Sequence, residues 1–248
     1  MEQRTALITG GNRGIGYELV RQLAEKGYAV YAGMRDPSRS KELIELGRRD
    51  DITVRPVQLE VTDEGQVEAV VDQIRSETGA LDLLVHNAGR FAHDEEGLEQ
   101  TRAGEMLDVL AVNAVAPVIV TRICLPLLQA AQEQSGTAKV VSVSSGASLL
   151  PRTLPEPGGQ YSYSASKATL NMYLQRMAAD LKERGIISIG MTPGFVITDM
   201  TRAAGLSPTL LPDESARGQI EVIEKITMAD AGTFWRYNGE RMDWFQTG

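Results

Sequence analysis

Short apolar runs and amphipathic stretches take turns along nearly the whole chain, and this alternation restricts the fold more than any other feature. Residues 5–8, 29–32, 53–59, 81–86, 139–143 and 187–191 read as short buried strands. Between them, 15–26, the segment after Pro37, 64–77, a long stretch from about 104 toward 132, and 161–183 read as helices. Gly27, Gly79 and Gly185 stand where three of those helices stop. Strands separated by helices predict βαβ units and a parallel sheet covered on both faces. Right-handed crossovers then give a doubly wound α/β fold of the Rossmann type. The 248 residues hold no repeat, low-complexity tract or linker, so residues 1–248 are expected to form a single domain. Residues 151–160 (PRTLPEPGGQ) read as a loop inside it. Residues 199–215 contain Gly205, Pro208 and Pro212 and read as a loop serving as a substrate lid.

Charge and composition exclude several classes of function. A net charge of −8 disfavours a nucleic-acid or anionic-membrane partner, so any anion site must be local. Cys124 is the only cysteine, which rules out an intramolecular disulfide or a CxxC motif. His86 and His93 are the only histidines, and no metal site is expected. The opening MEQRTALITGG lacks the apolar core of a signal peptide. The most apolar stretch, 110–131, is interrupted by Asn113, Pro117, Arg122 and Pro126 and reads as a core helix, too polar for a membrane span. A soluble cytoplasmic protein is the expectation.

Gly10, Gly14 and Gly16, in TGGNRGIG, follow the first strand and open the first helix. Glycine allows the tight turn and lets a diphosphate approach the backbone, which the helix N-terminus faces with free N–H groups. The spacing is GxxxGxG rather than GxGxxG, and an ordinary glycine-rich turn is the competing reading. The end of the second strand distinguishes the two nicotinamide dinucleotides, because a carboxylate there binds a ribose 2′-OH and an arginine accepts a 2′-phosphate. Met34 is neutral, Arg35 follows it, and Arg13 in the glycine loop adds a second cation. This charge pattern favours NADP(H) over NAD(H), unless the strand ends one residue later and Asp36 meets the 2′-OH.

Tyr163 and Lys167 lie four apart on one helical face, where the ammonium favours the tyrosinate. A free phenol titrates near 10 and needs such help to move protons near neutrality. A surface tyrosine beside a solvated lysine is the bland alternative, and Tyr161 has no lysine four residues on. Ser144 and Ser145 end the fifth strand, where ligands of open α/β sheets bind. A hydroxyl there can steady a substrate carbonyl oxygen, or simply form a turn. Asn113 is a polar group in a buried segment and must be hydrogen-bonded, structurally or to a water on a proton path. Asn87-Ala88-Gly89 follow the fourth strand, against a cofactor ribose or as a turn.

These ordered motifs resemble the short-chain dehydrogenase/reductase family over essentially the whole chain. TGGNRGIG looks like its cofactor loop, with Asn12 and Ile15 inside it, and HNAG at 86–89 is similar to its NNAG. Asn113, Ser145, Tyr163 and Lys167 match its Asn-Ser-Tyr-Lys tetrad. Of the serine pair, Ser145 is chosen because the family's serine is usually the second. The Ser145–Tyr163 separation, 163 − 145 = 18, is longer than usual, and the 151–160 loop absorbs the excess. PGFVIT at 193–198 matches the segment after the sixth strand, where Pro193, Gly194, Val196 and Thr198 would meet the nicotinamide. Glu60, followed by Val61, stands where the family has an adenine-contacting aspartate. Within the family, GGQYSYSASKATLN, PGFVITDM and the tail AGTFWRYNGERMDW look most like the C-factor-like or sniffer-like carbonyl reductases.

The resemblance implies an NADPH-dependent reductase of ketones or aldehydes, reversible to alcohol oxidation. Tyr163 would be the general acid/base, Ser145 would orient the carbonyl, Lys167 would lower the tyrosine pKa and bind the nicotinamide ribose, and Asn113 would anchor a water. A dinucleotide-binding redox sensor or signalling partner with little turnover is the alternative from another class. Epimerase or dehydratase relatives generally carry a longer C-terminal region. A homodimer or homotetramer through helices 104–132 and 161–184 is a further implication, with a monomer left open by the 151–160 loop. Loops 90–103, 146–160 and 199–215 would line the substrate pocket, with Leu149, Leu150, Leu154, Phe195 and Leu206 as apolar groups and Arg90, Arg152 and Arg202 as cations that either meet a carboxylate or stay solvated.

Overall fold

Strand β1 (Thr5–Thr9) is buried along its whole length, as a central parallel strand covered on both faces must be. The computed structural model describes residues 3–92, 97–150, 160–205 and 207–244, the Arg39 side chain excepted. The predicted alternation is present. Helix α1 (Gly14–Glu25) and strand β2 (Ala29–Met34) are followed by α2 (Lys41–Leu46), β3 (Thr53–Gln58), α3 (Glu64–Glu77) and β4 (Leu83–His86). Helix α4 (Ala103–Leu110) runs through a π turn, Ala111–Val115, into α5 (Ala116–Ser135). Then come β5 (Ala138–Val143), α6 (Tyr161–Lys182), β6 (Ile186–Thr192), α7 (Asp199–Ala203), α8 (Pro212–Lys225), β7 (Phe234–Arg236) and β8 (Arg241–Met242).

The sheet order is β3-β2-β1-β4-β5-β6-β7-β8, parallel throughout except for the β7–β8 hairpin. Two apolar layers sandwich it. Leu19, Val20 and Leu23 of α1 pack with Ile220 and Ile223 of α8 on one face. Val67, Val70 and Ile74 of α3 pack with Val120, Cys124 and Leu128 of α5 on the other. The helical spacing of these residues makes each stripe continuous.

Three expectations need correction. Residues 199–215 are not one loop, because α7 occupies 199–203 and α8 starts at Pro212. Proline at the first helical position loses no needed N–H, so Pro212 opens a helix rather than marking a loop. The sheet has eight strands rather than six, since the tail adds β7 and β8 around Asn238-Gly239, with Gly239 at φ 86°. The long helix is adjusted one turn before Pro117, by the π turn centred on Asn113, and Pro126 sits inside α5. By length and composition Ala103–Ser135 is apolar enough to cross a membrane, contrary to the expectation from its polar interruptions; in this fold α5 packs on α3, α6 and β5. The loop at 151–160 lies outside the described residues except for Gln160.

Candidate active site

The sheet order reverses between β1 and β4, and a crevice of about 1480 Å³ opens there at the carboxyl ends of the strands. Gly10, Asn12, Arg13, Gly14, Ile15 and Gly16 line it from the β1–α1 loop. Met34 and Arg35 line it beyond β2, Glu60 and Val61 beyond β3, and Asn87, Ala88 and Gly89 beyond β4. Tyr163 and Lys167 face it from α6, and Pro193 and Thr198 from the segment after β6. Asn113, Ser145, Gly194 and Val196 are not among the residues that line it.

The glycine loop is shaped by close approach. Gly10 and Gly14 have φ of 68° and 53°, in the left-handed region. A Cβ on Gly16 would lie 2.1 Å from the Gly10 oxygen and 2.5 Å from Asn87 Nδ2. Asn87 is part of the same scaffold, because its Nδ2 donates to the main-chain oxygens of Thr9 at 3.0 Å and Gly10 at 3.1 Å. The N–H groups of the first turn of α1 have no intrahelical partner. Arg13 pairs with Asp199 of α7 at 3.2 Å across the crevice mouth, with both side chains exposed. Asp36 is turned to cap the 3-10 turn Pro37–Arg39, its Oδ1 accepting from Ser38 N at 3.1 Å and Ser38 Oγ at 2.6 Å, and it does not line the crevice. Glu60 Oε1 accepts from Thr62 N at 3.3 Å and Thr62 Oγ1 at 3.1 Å.

Tyr163, Lys167 and Ser145 lie close together. Lys167 is buried and its Nζ donates to the Val143 oxygen at 2.8 Å, while Nζ lies 5.8 Å from the Tyr163 ring centre. Desolvation pushes the Lys167 ammonium down to about 8. Burial raises the Tyr163 phenol above its ordinary 10, and a hydrogen bond with the Ser145 side chain opposes that rise. The lowering expected from Lys167 is not what acts on the phenol here: burial raises it and Ser145 alone opposes the rise. Ser144 is the other member of the pair, and its Oγ donates to Asn171 Oδ1 at 2.7 Å, leaving Ser145 as the serine that meets Tyr163. Tyr161, by contrast, is half-exposed at the start of α6.

The Asn113 amide is committed to the protein. Its Oδ1 accepts from Arg90 N at 2.8 Å, and its Nδ2 donates to the Arg90 oxygen at 2.9 Å and to Ser166 Oγ at 3.0 Å. It ties the loop after β4 to α6. His86 is buried, with Nε2 2.8 Å from Thr121 Oγ1, and desolvation pushes its imidazole down to about 3. Thr198 caps α7, its Oγ1 accepting from Thr201 N at 3.2 Å. Val196 pairs with Leu210 in an isolated bridge, and its oxygen accepts from Thr201 Oγ1 at 2.9 Å. Gly194 has φ 84°, and a Cβ there would meet Leu210 and the Tyr237 ring at 2.8 Å.

The substrate-side lining differs from the expectation. Leu149 is buried, Leu150 and Phe195 are exposed, and none of the three lines the crevice. Leu154, Arg152, Leu206 and His93 lie outside the described residues. The apolar lining comes instead from Phe91, Ala92, Met200, Ala203 and Leu211. Phe91, whose ring centroid is 5.1 Å from that of Tyr163, was visible only as a position in the 90–103 loop. Arg90 is paired with Glu105 at 2.9 Å, and Arg202 lies 3.7 Å from Asp199. Among the described residues, no group of three His, Cys, Asp or Glu side chains is placed to hold a metal.

Comparison with known proteins places this geometry. Residues 4–207 match the short chain dehydrogenase family. The chain belongs to that family. It is an oxidoreductase of the short-chain dehydrogenase/reductase type. A short chain dehydrogenase of Penicillium aethiopicum is 32% identical over 254 residues, covering 97% of this chain and 99% of its own. Among solved structures, the NADPH-bound carbonyl reductase from chicken fatty liver superposes with a TM-score of 0.87 at 30% identity, covering 98% of this chain and 100% of the other. The carbonyl reductase Sniffer of D. melanogaster superposes with a TM-score of 0.87 at 27% identity and the same coverage. The sniffer-like affinity read from the tail and the YSASK region agrees with these likenesses.

Proposed function

We propose that this protein is an NADPH-dependent carbonyl reductase, reversible to alcohol oxidation. The observation that carries this reading is the half-buried Tyr163 phenol, hydrogen-bonded with Ser145 and beside Lys167, in the wall of the crevice that the glycine loop opens. The chicken and fly proteins it resembles are carbonyl reductases, the former NADPH-bound.

The crevice fits a dinucleotide. Gly10, Gly14 and Gly16 line it without side chains, and the positive end of α1 faces it. The backbone of residues 14–16 would hold the diphosphate. Arg13 and Arg35 line the crevice and would take a 2′-phosphate, whereas the Asp36 carboxylate is turned to its cap. Met34, at the end of β2, offers no carboxylate to a 2′-OH. When bound, the nicotinamide donates or accepts a hydride.

The chain's residues then handle the substrate oxygen and its proton. Ser145 donates a hydrogen bond to the carbonyl oxygen and steadies the charge that develops there. Tyr163 delivers the proton to that oxygen. The Lys167 cation, one helical turn away, would favour the tyrosinate left behind. Asn113 holds the loop after β4 in place rather than touching the reacting atoms. Met200, Ala203 and Leu211 form an apolar wall at the substrate end, and we assign the substrate lid to α7 and the chain that follows it.

Purified protein mixed with NADPH and a panel of ketones and aldehydes should consume NADPH. Tyr163→Phe should lose at least about a hundredfold in kcat. Unchanged turnover in that variant overturns the mechanism. Tight NADPH binding without turnover across the panel would instead favour the sensing or signalling role.

A further inference from the structure

Helix α6 carries a third polar residue on the face of Tyr163 and Lys167. Asn171 lies one turn beyond Lys167 and two beyond Tyr163. It is buried, as are Ser144 and Ser148, and it does not line the crevice. Its contacts form a chain whose direction the chemistry dictates. The Ser148 hydroxyl bonds the main-chain oxygen of Ser145, and a carbonyl only accepts, so Ser148 donates there. The Ser148 oxygen therefore accepts from Asn171 Nδ2 at 2.7 Å. Asn171 Oδ1 is left to accept from Ser144 Oγ, also at 2.7 Å.

One amide thus grips the residues on both sides of Ser145. The turn is closed further by Ser148 N, which donates to the Ser145 oxygen at 3.1 Å, and by Ala147 N, which donates to Ser145 Oγ at 3.1 Å. We infer that Asn171 is a positioning residue for Ser145, locking the 144–148 turn onto the helix that bears Tyr163 so that the two hydroxyls meet. This rests on the reductase reading for its catalytic consequence. Only a side chain with one donor and one acceptor at this spacing serves both serines. Aspartate has acceptors alone, and would draw the Ser148 proton away from the Ser145 carbonyl.

The test compares Asn171→Ala, Ser145→Ala and the double variant, with Asn171→Asp as a second probe should the alanine variant not fold. Tyrosine ring carbons are labelled with carbon-13, and the Tyr163 resonance is identified by its loss in Tyr163→Phe. In folded Asn171→Ala, that resonance should move to the position it takes in Ser145→Ala, and Asn171→Asp should move it in the same direction. With an active carbonyl, Asn171→Ala should lower kcat by at least about tenfold while the Kd for NADPH stays within about twofold. The double variant should then be no more than about twofold slower than Ser145→Ala, because the two act through one hydroxyl. A Tyr163 resonance unmoved in a folded variant, or losses that multiply in the double variant, overturns the inference. If the parent protein reduces no carbonyl, the reductase reading fails, and the resonance still decides whether Asn171 holds Ser145 against Tyr163.

Discussion

The Lys167 ammonium donates to the main-chain oxygen of Val143 at 2.8 Å, tying the face of α6 that carries Tyr163 to the carboxyl end of β5. The bond places a cation one helical turn from the phenol and at the edge of the crevice. It also buries that cation, which has a measurable consequence for stability.

Burial pushes Lys167 down to about 8, below the ordinary value of 10.5 that it regains on unfolding. Between those values the unfolded chain binds more protons, so stability rises with pH across this window, by about 3 kcal/mol from this group. Urea unfolding at about pH 7.5 and about pH 9.5 measures the rise. Lys167→Met should flatten it, and a slope equal to the parent's would contradict the buried-cation account.

His86 works at the other end of the scale. Its imidazole is pushed down to about 3 from 6.5, so the native state is neutral where the unfolded chain binds a proton. Stability is full above 6.5 and falls as pH drops from there toward about 3, by on the order of 5 kcal/mol. His86→Asn should move the acid-unfolding midpoint to lower pH, read by circular dichroism.

Two glycines should respond in opposite directions to alanine. Gly16→Ala sets a Cβ against the Gly10 oxygen and Asn87 Nδ2, and should cost more than about 3 kcal/mol. Gly104, inside α4, has nothing within 4 Å of the new methyl group. Gly104→Ala should add about 0.5–1 kcal/mol and raise Tm by about 2–3 °C. Differential scanning calorimetry compares them.

Arg35→Asp should raise the KM for NADPH by at least about tenfold and leave that for NADH within about threefold, because only the 2′-phosphate needs the guanidinium. Steady-state kinetics with both dinucleotides provide the check. Equal KM values in the parent protein would remove the basis for a preference.

Much of the site was legible because it is local. TGGNRGIG announces a tight turn between strand and helix, and four-residue spacing puts Tyr163 and Lys167 on one face whatever surrounds them. Helix α8 was missed because Pro208 and Pro212 read as breakers, although Pro212 sits where a helix tolerates proline. The β7–β8 hairpin did carry a signal, the turn dipeptide Asn238-Gly239, but its strands are short and owe their place to β6. Leu149, Leu150 and Phe195 do not line the crevice, since hydrophobicity alone does not say which side of a loop faces it.

The chain's periodicity and punctuation determined the order of strands and helices as far as β6, the phosphate-type loop and the shared face of α6, because each depends on residues a few positions apart. Only the tertiary structure decided that the Asn113 amide is spent on Arg90 and Ser166, that Asp36 turns to Ser38, and that Ser145 rather than Ser144 meets Tyr163. The Asn113 and serine outcomes are competitions among polar groups for partners distant along the chain, settled only when burial removes water as the alternative partner, whereas Asp36 is exposed and held by the local turn it caps.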